Sequence, residues 1–167
     1  TGARVLVFGT YAAEIDGKAL TEPVTPLGYI LLANPIREAA KETFQYFAEQ
    51  GVEVKVISGD NPVTVSKVAK TAGIKNAENY VDASSLEIEE DIKKAILEKT
   101  VFGRVTPNQK RQFVQALKEA GKTVAMTGDG VNDVLALKDA DCSIAMASGS
   151  EAAAQASQIV LLESDFS

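Results

Sequence analysis

Eight residues, Met126 to Asp133, read "MTGDGVND" and follow directly on the apolar approach "KTVA". Asp129 and Asp133 are four apart, across a Gly-Val-Asn turn that opens a helix, so both carboxylates can point at one place. Hard cations such as Mg2+ take oxygen ligands and keep several waters, so one or two carboxylates are enough to hold one. An Asp129 that only capped the helix would leave the rest of the loop without a reason. A second polar loop, "SGDNP" from Ser58 to Pro62, offers the hydroxyl of Ser58 and a Gly59 that lets backbone amides approach an anion. The same residues also read as a plain helix start, with Asp60 or Asn61 as N-cap and Pro62 in the first turn. In the third, "GRVTPNQKRQ" from Gly103 to Gln112, Thr106 caps a helix beginning at Pro107. Lys110 falls one turn in, where it is either solvated or reaches over a sheet edge to a phosphate.

The elements that must carry these loops alternate. Strands are expected at 4–12 and 27–33, with Asp16-Gly17 as a turn between them. A helix over 36–50 follows Asn34-Pro35 and stops at Gly51. Beyond it, strands at 52–58, 79–83, 101–104, 122–128, 142–146 and 158–162 are separated by helices at 62–73, 86–99, 107–121, 131–140 and 150–157. This order implies an α/β fold, a parallel sheet with crossover helices on both faces. Ligands in such sheets bind beyond the carboxyl ends of the strands, where all three polar loops fall.

With 167 residues, 46% hydrophobic and 24% charged, the chain has the composition of one globular domain with a substantial core. Its net charge of −6, with no run of four basic residues, argues against nucleic acid as a partner. The single cysteine, Cys142, lies in the apolar "DADCSIAMA" and reads as a buried, inert thiol in a reducing compartment. No stretch approaches the ~18–20 apolar residues that cross a bilayer. The chain opens at Thr1, without an initiator methionine and almost directly in a strand, which reads as part of something longer.

Taken in order, "SGDN", "RVTPNQK", "TGDGVND" and "ALKDADCSIAM" resemble three of the four signatures of haloacid dehalogenase-type phosphotransferases. More narrowly, they resemble the phosphorylation domain of P-type ATPases, the ATP-driven cation pumps. The resemblance runs from about Leu27 to Ser167, and "ARVLVFGTY" looks like the end of the pump's nucleotide-binding domain. It implies a Rossmann-like three-layer α/β/α fold with a mostly parallel sheet, divided into 1–26 (the end of the nucleotide-binding domain and hinge) and 27–167 (the phosphorylation domain). By the same resemblance Ser58 and Gly59 would contact the transferred phosphate, and Asp60 would shape their loop. Lys110 would bridge and shield the oxygens of the aspartyl phosphate. Asp129 would bind Mg2+ directly, while Asn132 and Asp133 would hold the metal's waters and the phosphate, which puts Asp133 in the metal site with Asp129 and in the catalytic set with Lys110 and Ser58. Arg104 and Arg4 would reach ATP, the substrate, from the two domains. The implied parent lies in the cell membrane with this chain on its cytoplasmic face, beside actuator and membrane domains that bind the transported cation.

Two departures accompany the resemblance. The hinge, Asp-Pro-x-Arg in these pumps, reads Asn34-Pro35-Ile36-Arg37. The fourth signature, Asp-Lys-Thr-Gly-Thr, whose aspartate accepts the γ-phosphate, is absent from the sequence. A phosphatase of the same superfamily would need a nucleophilic aspartate too, whereas a non-catalytic Mg2+- or phosphate-binding module would not. In the superfamily the nucleophile's strand lies between the strands expected at 52–58 and 122–128. Its absence predicts a repair: those strands close up, 4–12 folds in as a substitute, or a second copy donates a strand.

Overall fold

Aliphatic and β-branched runs bounded by Gly, Pro and Asn form strands, and the amphipathic stretches between them form helices, in the expected order. The computed structural model describes residues 4–17, 19–32, 35–163 and 166. They form two compact units, Thr1–Pro35 and Ile36–Ser167.

In the first unit β1 (Arg4–Thr10) pairs antiparallel with β2 (Thr25–Leu32), Val5 opposite Leu31 and Val7 opposite Tyr29. The register shifts between Phe8 and Gly9. A side chain at Gly9 would lie 2.6 Å from the carbonyl oxygen of Thr25, so glycine is what lets the ribbon close there. Both faces of the ribbon are apolar and exposed, with Val7, Phe8, Tyr29 and Leu31 each at least 60% accessible. The boundary expected after residue 26 falls inside β2, which is bonded to β1 along its length. Asn34 of the hinge motif lies outside the described residues.

The second unit is α/β with parallel pairing throughout its described strands. β3 (Val56–Ile57), β4 (Tyr80–Asp82) and β5 (Val101–Gly103) form one sheet in the order β3-β5-β4. β6 (Ala125–Gly128), β7 (Cys142–Met146) and β8 (Ile159–Leu161) form another in the order β6-β7-β8. The helices are α1 (Ala40–Glu49), α2 (Pro62–Thr71), α3 (Glu89–Glu98), α4 (Pro107–Glu119), α5 (Val134–Asp139) and α6 (Glu151–Ala156). Phe102, Ile92, Ile96, Phe113 and Ala116 are buried in one apolar cluster, and Val114, Met126, Leu137, Ala145 and Ala153 in another. Helix α4 contributes to both, and its Leu117 packs against each. Cys142, a free thiol, is half-buried at the start of β7.

Several elements are shorter than their sequence suggests, and two of them show why. The helix expected from residue 36 begins at Ala40, has no side-chain cap and buries no residue, so no packed face rewards its extension. The strand expected over 52–58 is confined to Val56–Ile57, because β5 is three residues long and is its one partner among the described strands.

Among the described strands, neither of the two repairs open to a single chain is seen. β1 is taken by β2, its neighbour in sequence, and β3 and β6 are hydrogen-bonded to β5 and β7 and not to each other. Helix α4 contributes buried residues to both apolar clusters. Parity then decides which amides are unpaired. Val56 and Ser58 donate to Thr100 and Phe102, so Ile57 points its N–H away from β5. Cys142 donates to Val124, and the same ladder turns Met126 and Gly128 toward β7 and Ala125 and Thr127 away from it. Amide exchange followed by NMR should therefore show Ile57, Ala125 and Thr127 exchanging far faster than Val56, Ser58, Met126 and Gly128. Protection of the first three that grows with protein concentration would instead mean that a second copy fills the gap.

Candidate functional site

The carboxyl ends of β3, β5 and β6 carry the three polar loops, as the sequence predicts. After β3, the loop at Ser58 is stapled to the loop after β5. Val105 donates its N–H to the carbonyl of Ser58 at 3.0 Å, and Arg104 donates to that of Asp60 at 2.8 Å. The hydroxyl of Ser58 accepts the N–H of Asp60 at 3.2 Å, which leaves its own proton to donate. Asn61 is the N-cap of α2, accepting from Val63, with Pro62 in the first turn. The cap therefore accounts for Asn61 and Pro62, while Ser58, Gly59 and the exposed Asp60 stand outside it. A side chain at Gly59 would meet nothing nearer than the Val105 carbonyl at 3.9 Å, and its φ is not left-handed. Gly103, by contrast, has to be glycine, since a Cβ there would overlap Pro62.

Helix α4 starts with a capping box between Thr106 and Gln109, and Gln109 also donates to the carbonyl of Ala83 at 2.8 Å. The cap fixes the rotation of the helix and so the direction of Lys110. Its Nζ donates to Oδ1 of Asp133 at 2.6 Å, and the two side chains are 16% and 7% accessible. Lys110 is thus in a buried ion pair rather than solvated. Oδ2 of Asp133 accepts the N–H of Gly130 at 3.1 Å. Gly128 makes room for this, because a Cβ there would stand 2.6 Å from the Cβ of Asp133. On the same helix Arg111 and Gln115 both donate to Oδ2 of Asp139 at 2.7 Å, and Lys118 donates to its carbonyl at 2.8 Å. These bonds clamp α5, which begins directly after Asp133.

Asp129 and Asn132 are exposed, and their side chains make no hydrogen bond or ion pair with any described residue. The backbone of Asp129 is held, however, since Ser150 donates its N–H to the Asp129 carbonyl at 2.6 Å. This set suits Mg2+ by its donor chemistry: an uncommitted carboxylate, an amide oxygen and a second carboxylate close by. No group of three or more His, Cys, Asp or Glu that could form an all-protein cage occurs among the described residues. A cation that keeps its waters needs none.

Arg104 has a left-handed φ of 54° and pairs with Asp82, its guanidinium 2.8 Å from the carboxylate. Asp82 closes β4, and its carboxyl is held below its usual range first by the hydroxyl of Ser84, then by the Ser84 N–H, with Arg104 adding to the effect. Asp82, Gly103, Gly128 and Ser150 went unnoticed in the sequence, because each acts through a neighbour that only the fold supplies. Arg4 lies in β1, in the other compact unit.

A family model described as haloacid dehalogenase-like hydrolase matches residues 4–141. Over 99% of the chain, 49% of positions are identical to a probable cation-transporting ATPase of Streptococcus pneumoniae. The same identity and share hold for a calcium-transporting ATPase, CtpE, of Mycolicibacterium smegmatis. A P-type magnesium-transporting ATPase of Salmonella typhimurium is 36% identical over 98% of the chain. The chain spans only 21%, 21% and 19% of these relatives. Among solved structures, the catalytic domain of the CPx-ATPase CopB-B superposes on 87% of the chain, and on 47% of its own, with a TM-score of 0.60 at 24% identity. A zinc-transporting PIB-type ATPase superposes on 93% of the chain, and on 20% of its own, with a TM-score of 0.62 at 23% identity. With its loops set at the carboxyl ends of parallel strands and relatives along its whole length that are cation-transporting ATPases, the chain belongs to the haloacid dehalogenase-like hydrolase family.

Proposed function

We propose that this chain is the phosphorylation-domain portion of a cation-transporting P-type ATPase, holding Mg2+ and the phosphoryl group while an aspartyl phosphate forms and is hydrolysed. The observation that carries this reading is the buried Lys110–Asp133 pair beside an uncommitted Asp129, in a chain 49% identical to cation-transporting ATPases. The hydroxyl of Ser58, with its proton free to donate, and the open face of Gly59 suit phosphate oxygens. Lys110 supplies a fixed ammonium that needs no reorganisation when phosphoryl charge arrives. Asp129, helped by Asp133, would hold the metal, and Asn132 its waters. Bound there, Mg2+ supplies the charge that offsets the transferring phosphoryl group. Arg104 would contact ATP from this side and Arg4 from the nucleotide-binding side. The exposed apolar ribbon of β1 and β2 fits a strand pair belonging to a wider sheet, here the remainder of a nucleotide-binding domain. No described helix is long and apolar enough to cross a membrane. The membrane and actuator domains and the ligands of the transported cation would lie elsewhere in the longer protein, with this chain on the cytoplasmic face.

Four measurements test the reading. Because the sequence lacks the Asp-Lys-Thr-Gly-Thr acceptor, the 167-residue chain incubated with γ-labelled ATP and Mg2+ should carry no acid-stable label. Stoichiometric labelling would mean that another residue accepts phosphate. In the full-length protein, Asp129→Ala and Lys110→Ala should each abolish phosphoenzyme formation, by about a hundredfold or more. Their effects on folding should differ: Lys110→Ala strands a buried carboxylate and should cost the chain about 3–5 kcal/mol in urea denaturation. Asp129→Ala, at an exposed and unpaired side chain, should stay within about 0.5 kcal/mol. Arg104→Ala should raise the KM for ATP with little change in kcat, and near-normal phosphoenzyme in Asp129→Ala would refute the metal assignment.

A further inference from the structure

The loop between β7 and α6 meets the "MTGDGVND" loop backbone to backbone. A Cβ built on Gly149 would lie 2.5 Å from the carbonyl oxygen of Asp129 and 2.9 Å from both its Cα and its Cβ. These atoms belong to the backbone and the root of the side chain, so no rotamer change relieves the collision. The φ of Gly149 is not left-handed, so the turn itself does not ask for glycine. The bare Cα is needed for room, and the group that takes the room is Asp129.

Hydrogen bonds fix the contact from either side. Gly149 donates its N–H to the carbonyl of Met146 at 2.9 Å, and Ala147 donates to that of Leu161 at 3.0 Å, which ties the loop to β7 and β8. Ser150 then donates to the carbonyl of Asp129 at 2.6 Å. The side chain of Asp129 has no partner among the described residues to orient it. Its direction is set from below, by the peptide that Gly149 and Ser150 press and bond.

We infer that Gly149 is a positioning residue for the Asp129 carboxylate, its missing side chain letting the 147–150 loop seat the backbone of Asp129 so that the carboxylate is presented to a divalent cation. The inference rests on the Mg2+ reading above. Ala at position 149 would push the two loops apart and turn the carboxylate, without touching Lys110, Asp133 or Ser58.

The test is a titration of the 167-residue chain with MgCl2, followed through the amide NMR shifts of Thr127 to Asn132, with melting temperature measured in parallel. Gly149→Ala should weaken Mg2+ binding about ten- to a hundredfold, as changes to a ligand's supporting partner do, while the chain stays folded. Ala153→Gly is the control. It loosens buried, helical Ala153 in the adjoining α6 and should lower the melting temperature without moving the Mg2+ dependence. A wild-type chain that shows no saturable Mg2+ shifts would overturn the metal reading, and the inference with it. A wild type that binds and a Gly149→Ala that binds equally well would overturn the inference alone. Unfolding of Gly149→Ala, or an equal loss of Mg2+ affinity in Ala153→Gly, would make the loop a general scaffold and also overturn it.

Discussion

The ammonium of Lys110 and the carboxylate of Asp133 lie 2.6 Å apart and almost out of water. A buried ion pair is stable only with good geometry and with its remaining lone pairs satisfied. Much of the second unit supplies those conditions. The capping box at Thr106 and Gln109 sets the rotation of α4, and so the direction of Lys110. Gly128 clears the space that Asp133 fills, and Gly130 takes its second oxygen. Arg111, Gln115 and Lys118 tie the far end of α5 to the same helix. Two sheets that share no hydrogen bond among the described strands are thus coupled by one helix and the pair at its first turn.

This arrangement also explains how two separately bonded sheets form one ordered unit. The two apolar clusters meet at α4, with Phe113 and Ala116 on one side, Val114 on the other and Leu117 between. Burying a side chain of this kind is worth about 1.5–3 kcal/mol, so the helix would lose much by sliding toward either half. The unpaired edges of β3 and β6 lie at the strands that end in the Ser58 and Asp129 loops.

Local signals were legible in the sequence, and relations between distant segments were not. Asn61, Pro62 and Thr106 mark helix starts because capping depends on the next few residues alone. The three polar loops stand out because strand-loop-helix alternation puts them at carboxyl ends wherever the sheet lies. The extent of β3 was misread because "VEVKVIS" has strand character along its length, while pairing depends on a partner 45 residues away. The pairing of Lys110 with Asp133 was illegible because tertiary packing brings the two together. Gly149 gave no signal, since its turn needs no positive φ and its reason is a backbone 20 residues upstream.

The charge balance bears on what the site can accept. Lys110 is matched by Asp133 and Arg104 by Asp82, so neither cation is uncommitted among the described residues. Asp129 and Asp60 are exposed and have no counter-charge among the described residues. Two like charges at about 4 Å repel by roughly 4 kcal/mol at an effective dielectric constant near 20. A phosphoryl group arriving alone would meet that repulsion at Asp129 and find an ammonium already shared. With a divalent cation on Asp129 the sign changes, since one carboxylate leaves a net positive charge for the phosphoryl oxygens to meet. On the proposed reading, the uncommitted aspartate, a source of repulsion without a metal, is then the feature that would make an acidic loop fit for an anionic substrate.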